Sequence, residues 1–341
     1  MSNRNQILAN DAKSVCQAVD LSSLKNMKIL LTGASGLLGL HFLASLRYAK
    51  KVQGIEMQLI ALAFSPPDEL LQELTGDGFC QLLQGDLTDS WFLESLEEFD
   101  VIIHAAGYGQ PGRFTADPVR TLELNTSVTL TLAKKLKKGG RFLFTSSAEV
   151  YTGLSIAPFS ENRIGTTNTE HPRSCYIEGK RAGEAIGFAF RKMGVDFKSV
   201  RISLTYGPGT RDGDTRVVGM MIGKGLKGEI QLIDSGSARR SMLYVSDAMV
   251  MLWNILLHGK QGLYNVGGKT EVSIFELAER IGEQLSVGVK KSNEDSLAGA
   301  PEQVRLDMCR FESEFKYREC VDLDRGLAQT IQWQREGLNK L

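Results

Sequence analysis

No stretch of this chain stays apolar and uncharged for the ~20 residues that a membrane-spanning helix needs. Nor is either charge in excess. Forty Lys and Arg face forty Asp and Glu, so no global field draws in nucleic acid or an anionic membrane, and any bound anion must be held by a local cluster. Histidine is scarce: His41, His104, His171 and His258 show no ligand spacing with one another or with cysteine, so no metal site is expected. The five cysteines (Cys16, Cys80, Cys175, Cys309, Cys320) are odd in number and dispersed, which fits a reducing compartment better than a disulfide framework. The N-terminal residues lack a basic segment followed by an apolar core and a small-residue cleavage site. A cytoplasmic location is the expectation.

What remains is an ordinary globular composition, 42% hydrophobic and 23% charged over 341 residues, enough for one large domain or one large and one small. Residues 1–26 read as a polar leader with one helix through Ile7 to Val19, packed outside the main domain. Then short apolar runs alternate with helical segments. Strands are expected at Met27–Thr32, Gln58–Ala63, Phe79–Gln84, Val101–Gly107, Arg141–Thr145 and Phe197–Ile202. Between them lie a helix over about 37–50 and one running through Asn125 and Leu136 to a stop at Lys137-Lys138-Gly139-Gly140. This alternation predicts an α/β fold with a doubly wound parallel sheet over 27–206. From Gly207 to the end the texture changes to short patterns rich in Gly, Asp, Arg and Ser, with helices near 247–257 and 273–285 and a strand near Tyr264. That part reads as a smaller, discontinuous α/β substrate lobe, some of its segments returning to the large domain.

The first strand runs into Gly33-Ala34-Ser35-Gly36-Leu37-Leu38-Gly39. In such a turn the first glycine permits the reversal, the second lets backbone approach a pyrophosphate, and the third allows close helix–strand packing. The helix N-terminus adds free N–H groups and partial positive charge. Asp86, after the third strand, is placed to accept from an adenine amino group. The second strand ends Ala63-Phe64-Ser65-Pro66, with neither an acid for a ribose diol nor an arginine for a 2′-phosphate. The choice between NAD and NADP is open at this point.

Tyr176 and Lys180 lie four residues apart on one helical face, about thirty residues after Ser146-Ser147. An ammonium beside the phenol is expected to lower its pKa from ~10 and make Tyr176 a general base for a hydroxyl. Ser147 would bond the same oxygen and orient it. A non-catalytic, cofactor-binding regulator would have no need of that geometry. His104, ahead of Ala105-Ala106-Gly107, reads as structural.

Gly33-x-x-Gly36-x-x-Gly39, Thr145-Ser146-Ser147-Ala148-Glu149-Val150-Tyr151 and Tyr176-x-x-x-Lys180 together resemble the extended short-chain dehydrogenase/reductase family, over about residues 27–333. More narrowly they resemble its nucleotide-sugar epimerases, dehydratases and decarboxylases. Pro172-Arg173-Ser174-Cys175-Tyr176-Ile177-Glu178-Gly179-Lys180-Arg181 is similar to the matching segment of UDP-glucuronate decarboxylases, as are Asp214–Val218 and Gly236–Ser241. The resemblance implies a Rossmann sheet and NAD-dependent oxidation of a nucleotide-diphosphate sugar at C4 to a 4-keto intermediate. It implies cofactor contacts at Gly33, Ser35, Gly36, Leu37, Leu38, Gly39, Asp86, Leu87, Ala105, Ala106, Gly107, Asn125, Tyr176 and Lys180. Ser147, Glu149, Tyr176 and Lys180 would be catalytic.

The same likeness bears on the step after oxidation. Dehydratases of this group carry an Asp and a Glu after the Ser or Thr; here Ala148-Glu149 stands there, which disfavours dehydration and matches decarboxylases. A C4 epimerase, a 4,6-dehydratase and a 4-ketoreductase using NADPH are the alternatives. Leu204 replaces the usual Asn before Thr205-Tyr206-Gly207-Pro208, and Thr152 replaces a glycine. The substrate diphosphate needs cations, for which Arg240 is the first candidate, then Arg216 and Arg305. Arg173 could meet a sugar carboxylate. Relatives pair through the helices that here carry Asn125 and Tyr176, so a homodimer is expected.

Overall fold

The computed structural model describes residues 3–292, 303–316 and 319–338. Six apolar runs form strands of one parallel sheet: β1 (Lys28–Thr32), β2 (Gln58–Ala63), β3 (Gln81–Gln84), β4 (Phe99–His104), β5 (Leu136–Ser147) and β6 (Asp196–Ile202). A seventh strand, Leu263–Val266, adds to β6, giving the order Leu263–Val266, β6, β5, β4, β1, β2, β3. The central β1 is buried from Ile29 to Thr32, as both faces are covered by helices. Chain order reverses between β1 and β4. At such a switch point the connections diverge to opposite sides and leave a crevice at the carboxyl ends of the strands.

The strand near Tyr264 thus joins the large sheet at the edge beyond β6. The rest of the lobe is built on Arg239–Tyr244, which pairs antiparallel with Thr270–Ser273 and parallel with Thr205–Tyr206 and Gln303–Val304. A parallel pair, Glu229–Gln231 with Gly288–Lys290, lies beside it. Helices Val217–Gly225 and Ile274–Leu285 seal this lobe through Met221, Ile222, Leu277 and Ile281. The second of them begins in a reciprocal cap, Ser273 accepting from the Glu276 N–H while the Glu276 carboxylate accepts from the Ser273 N–H.

Two expectations are corrected. The helix through Asn125 breaks at Thr126 into Pro118–Asn125 and Ser127–Lys134, and ends before Leu136. Lys137–Gly140 belongs to β5 instead, as an excursion in which Phe99 pairs with Leu136 but Val101 pairs with Arg141. The cations that looked like a helix stop have another use: Lys137 pairs with Asp100 at 2.9 Å, and Gly139 takes φ +78°. The leader helix, Asn3–Ala18, is not an outer appendage. Leu8, Ala12, Val15 and Cys16 are buried in the main core, and Asp11 accepts from the Tyr244 hydroxyl at 3.0 Å. Among the described residues no helix is long and apolar enough to cross a membrane.

Candidate active site

A cleft of about 1400 Å³ opens at the switch point, between the large sheet and the lobe. Its floor is the glycine turn. Gly33 has φ +73°, and a Cβ there would lie 2.6 Å from the Ala105 carbonyl. A Cβ on Gly39 would lie 2.1 Å from Gly33 O, so helix Leu37–Lys51 can approach β1 this closely only with glycine at that position. Gly36 is the N-cap and offers no side-chain bond to the first turn, whose N–H groups are left for a ligand. A cradle of bare backbone at a helix N-terminus, beside the strand ends of β1 and β4, fits a dinucleotide pyrophosphate. Ser35, Leu37, Leu38, Asp86, Leu87, Ala105, Ala106 and Gly107 line the same cleft.

His104 has the structural place expected of it. Leu124 O can only accept, so the 2.9 Å bond puts the ring proton on Nε2, and Nδ1 accepts from the Thr32 hydroxyl at 2.8 Å. Thr32 Oγ1 in turn accepts from the Ala106 N–H at 3.2 Å, which ties the ends of β1 and β4 together. Burial pushes the His104 pKa down to about 4, so the ring is neutral. Asp86 is less available than its position suggested. Its carboxylate pairs with Arg120 and accepts from the Thr88 N–H and hydroxyl at 2.9 and 2.8 Å. Burial works to raise its pKa, but the bonds from Arg120 and Thr88 bring it below the usual carboxylate value. Asn125 does not line the cleft. It lies behind the Tyr176 helix, where its Nδ2 donates to Thr121 O at 2.7 Å and its Cβ backs Gly179.

Ser147, Glu149, Tyr176 and Lys180 all line the cleft. Helix Ser174–Lys192 carries the last two and lies on β5 and β6. Gly183 and Gly187 let it approach, because a Cβ at either would run into the ring of Phe144 or Phe197. Tyr176 stacks on Phe114 with ring centroids 4.5 Å apart. The expectation that Lys180 lowers the phenol pKa is not what the side chains show. Lys180 donates to Thr145 O at 2.6 Å, and its Nζ lies 5.5 Å from the Tyr176 ring centroid. Burial pushes Tyr176 up to about 12, against the lowering effect of a hydrogen bond with Ser147 and the charges of Arg173 and Arg216. Burial also pulls Lys180 down to about 7, opposed by Glu184 one turn along. A phenol in this state is a proton donor until a positive charge arrives beside it.

Glu149 is paired with Arg173 at 3.1 Å. Arg216 and Arg240 also line the cleft. Arg216 is held by Asp214 at 2.6 Å, and Arg240 donates to Arg239 O at 2.7 Å, with Glu149 among the charges acting on it. Arg305 does not line the cleft; its nearest acid is Glu271, 3.9 Å away. Two cleft residues, and a third bonded to the cleft residue Ser146, escaped the sequence reading. Arg120 pairs with Asp86 and lies over Phe64 at 4.3 Å, and Arg211 bonds Ser35 across 176 residues; no local pattern marks either. Glu184 did carry a signal, since it continues the four-residue spacing of Tyr176 and Lys180. It accepts from Ser146 Oγ at 2.5 Å and pairs with Arg201 at 2.7 Å.

Sheet order, glycine cradle and the paired Tyr and Lys define a dinucleotide-dependent enzyme fold. Residues 29–267 match the model of the NAD dependent epimerase/dehydratase family, and the chain belongs to that family. UDP-glucuronic acid decarboxylase 6 of Arabidopsis thaliana is 31% identical over 305 residues, covering 89% of this chain and 87% of the relative. UDP-glucuronic acid decarboxylase 1 of Xenopus tropicalis is 30% identical over 321 residues, covering 93% and 74%. Among solved structures, a dTDP-glucose 4,6-dehydratase of Streptomyces venezuelae with NAD bound superposes with a TM-score of 0.79 at 25% identity, covering 92% of this chain and 98% of that one.

Proposed function

We propose that this enzyme acts on a nucleotide-diphosphate sugar, most specifically as a UDP-glucuronate decarboxylase. The observation that carries the narrow reading is the sequence Ser147-Ala148-Glu149 with Glu149 paired to Arg173 next to Tyr176. Similarity to the decarboxylases of Arabidopsis and Xenopus supports it.

NAD, when bound, supplies the hydride acceptor for C4 of the sugar and a ring cation near the phenol. Tyr176 takes the proton of the C4 hydroxyl, and Ser147 holds that oxygen. The resulting 4-keto sugar has its carboxylate on the next carbon. The C5–carboxylate bond breaks, carbon dioxide leaves, and the electron pair passes into the C4 enolate, which is then protonated at C5. Tyr176 returns its proton to the C4 oxygen on re-reduction, so the cycle has no net redox change. Arg173, positioned by Glu149, is the counter-charge for the carboxylate. Arg240 and Arg216 hold the diphosphate. Ala148 supplies no acid for a leaving hydroxyl, which separates this reading from dehydration.

The test is incubation with UDP-glucuronate, following carbon dioxide and a UDP-pentose by mass spectrometry. Turnover of a UDP-hexose without carbon dioxide release would sink the decarboxylase reading and favour an epimerase. Product of this kind feeds polysaccharide biosynthesis, and five cysteines of which none forms a disulfide among the described residues support a cytoplasmic setting. A homodimer is also proposed. Val119, Leu122, Leu130 and Phe188 are exposed on the helices beside and including that of Tyr176, and light scattering showing a monomer would count against it.

A further inference from the structure

The loop 207–216 leaves the lobe and crosses to the cofactor turn. It is pinned on the way. His41 of helix Leu37–Lys51 donates from Nε2 to Pro208 O at 2.8 Å, and the Trp333 indole donates to Thr210 O at 2.8 Å. Gly207 and Gly209 take φ of +151° and +95°, values that other residues rarely adopt. The result is a fixed backbone that projects Arg211 at the glycine turn. Its Nη2 donates to Ser35 Oγ at 2.7 Å and to Ser35 O at 3.1 Å, and Nε donates to the same carbonyl at 3.3 Å.

Arg211 differs in its charge balance from three other arginines of the cleft. Arg120 is paired with Asp86, Arg173 with Glu149 and Arg216 with Asp214. Among the described residues no carboxylate comes within 4.0 Å of Arg211, and its Nη1 makes no hydrogen bond. The residue is half-buried and lines the cleft beside Ser35. Burial and the like charge of Arg113 hold its pKa below the ordinary guanidinium value, against the opposing pull of Asp68 and Asp214. A half-buried guanidinium with donors to spare, at a turn whose backbone already suits an anion, calls for a phosphate.

We propose that Arg211 is a phosphate ligand of the dinucleotide, supplied by the lobe to the cofactor turn. Two phosphates are candidates by chemistry, the pyrophosphate common to NAD and NADP and the 2′-phosphate of NADP. The end of β2, Ala63-Phe64-Ser65, has no acid to repel the latter. The proposal rests on the family's dinucleotide cofactor and not on decarboxylation. It is read by binding in the absence of any sugar, so either reading can fail alone.

The experiment uses the full-length protein stripped of bound nucleotide. Wild type, Arg211→Ala and Arg211→Gln are titrated by calorimetry with NAD, NADP, ADP-ribose and adenosine, folding being checked by circular dichroism. Loss of a charge-assisted bond to phosphate raises Kd about ten- to hundredfold. That loss for NAD, NADP and ADP-ribose alike, with adenosine unchanged, supports the proposal and identifies the pyrophosphate. Loss confined to NADP supports it and identifies the 2′-phosphate. Equal loss for adenosine and ADP-ribose would show that Arg211 only shapes the turn, and would overturn the proposal, as would unchanged affinity for every ligand.

Discussion

Glu184 sits where two properties of this enzyme meet, and Glu184→Gln separates them. Its carboxylate accepts from Ser146 Oγ at 2.5 Å and from Arg201 Nη2 and Nε at 2.7 and 3.0 Å, with only 11% of its side chain exposed and 3% of Arg201's. Removing one partner of a buried ion pair typically costs ~3–5 kcal/mol because the other charge is left without its counter-ion. Glutamine keeps the shape and one acceptor, and Arg201 also donates to Glu161 O and Arg163 O, so the cost here belongs at the low end, about 3 kcal/mol. At a urea slope of ~3 kcal/mol/M the unfolding midpoint falls by about 1 M. Buried Trp253 and Trp333 report the transition. The second effect is electrostatic. Glu184 is the group that opposes the burial of Lys180, whose pKa lies at about 7. Without it, the Lys180 ammonium is lost at lower pH, and the alkaline limb of the pH–rate profile moves acidward. A limb that stays in place while the midpoint falls would refute the coupling and leave Glu184 as a structural partner of Arg201. An unchanged midpoint would refute the burial argument itself.

Tyr176→Phe removes the only proton the mechanism moves at C4, and should lower kcat by roughly 10²–10⁴ while leaving NAD affinity intact; retained turnover would refute the assignment. Gly39→Ala places a Cβ 2.1 Å from Gly33 O, so the helix must retreat; we expect about 1–3 kcal/mol of destabilisation and a clear loss of NAD affinity by calorimetry, and unaltered binding would contradict the cradle. His41, buried and donating to Pro208 O, has its pKa lowered from 6.5 to about 4, so the unfolded chain takes a proton that the folded one refuses. Its contribution is therefore complete above pH 6.5 and is lost as pH falls towards 4, by on the order of 3 kcal/mol. Asp11, raised by burial to about 7, works in the opposite direction, so the measurement is the difference in acid sensitivity between wild type and His41→Gln in urea unfolding; identical pH dependence would show that His41 is not the group.

Local chemistry was legible wherever it is carried by spacing along the chain. The glycines of the first turn, the four-residue step from Tyr176 to Lys180 and the six apolar runs each encode their geometry within a few residues. Elements failed to read correctly where one local pattern has two outcomes. Lys137-Lys138-Gly139-Gly140 suits a helix terminus, yet Asp100 on the neighbouring strand captures Lys137 and turns the segment into a widened strand. The leader looked polar by composition, but Leu8, Ala12, Val15 and Val19 recur at helical spacing and face one core.

The site shows the same division at the level of charge. That Glu149, Arg173, Arg216 and Arg240 belong near the chemistry could be argued from motifs, but not how they partner. In the folded chain Glu149 takes Arg173 and Asp214 takes Arg216, so both of these arginines arrive already neutralised. The same redistribution governs Tyr176. Sequence spacing places an ammonium near a phenol, which by itself lowers the phenol pKa. Packing then adds Phe114 against the ring and gives the ammonium to Thr145 O, and burial wins. A phenol held at about 12 is inert as a base in isolation. In the proposed cycle the positive charge that makes it one comes with the oxidised cofactor, which would confine proton transfer at Tyr176 to the complex that can also accept hydride.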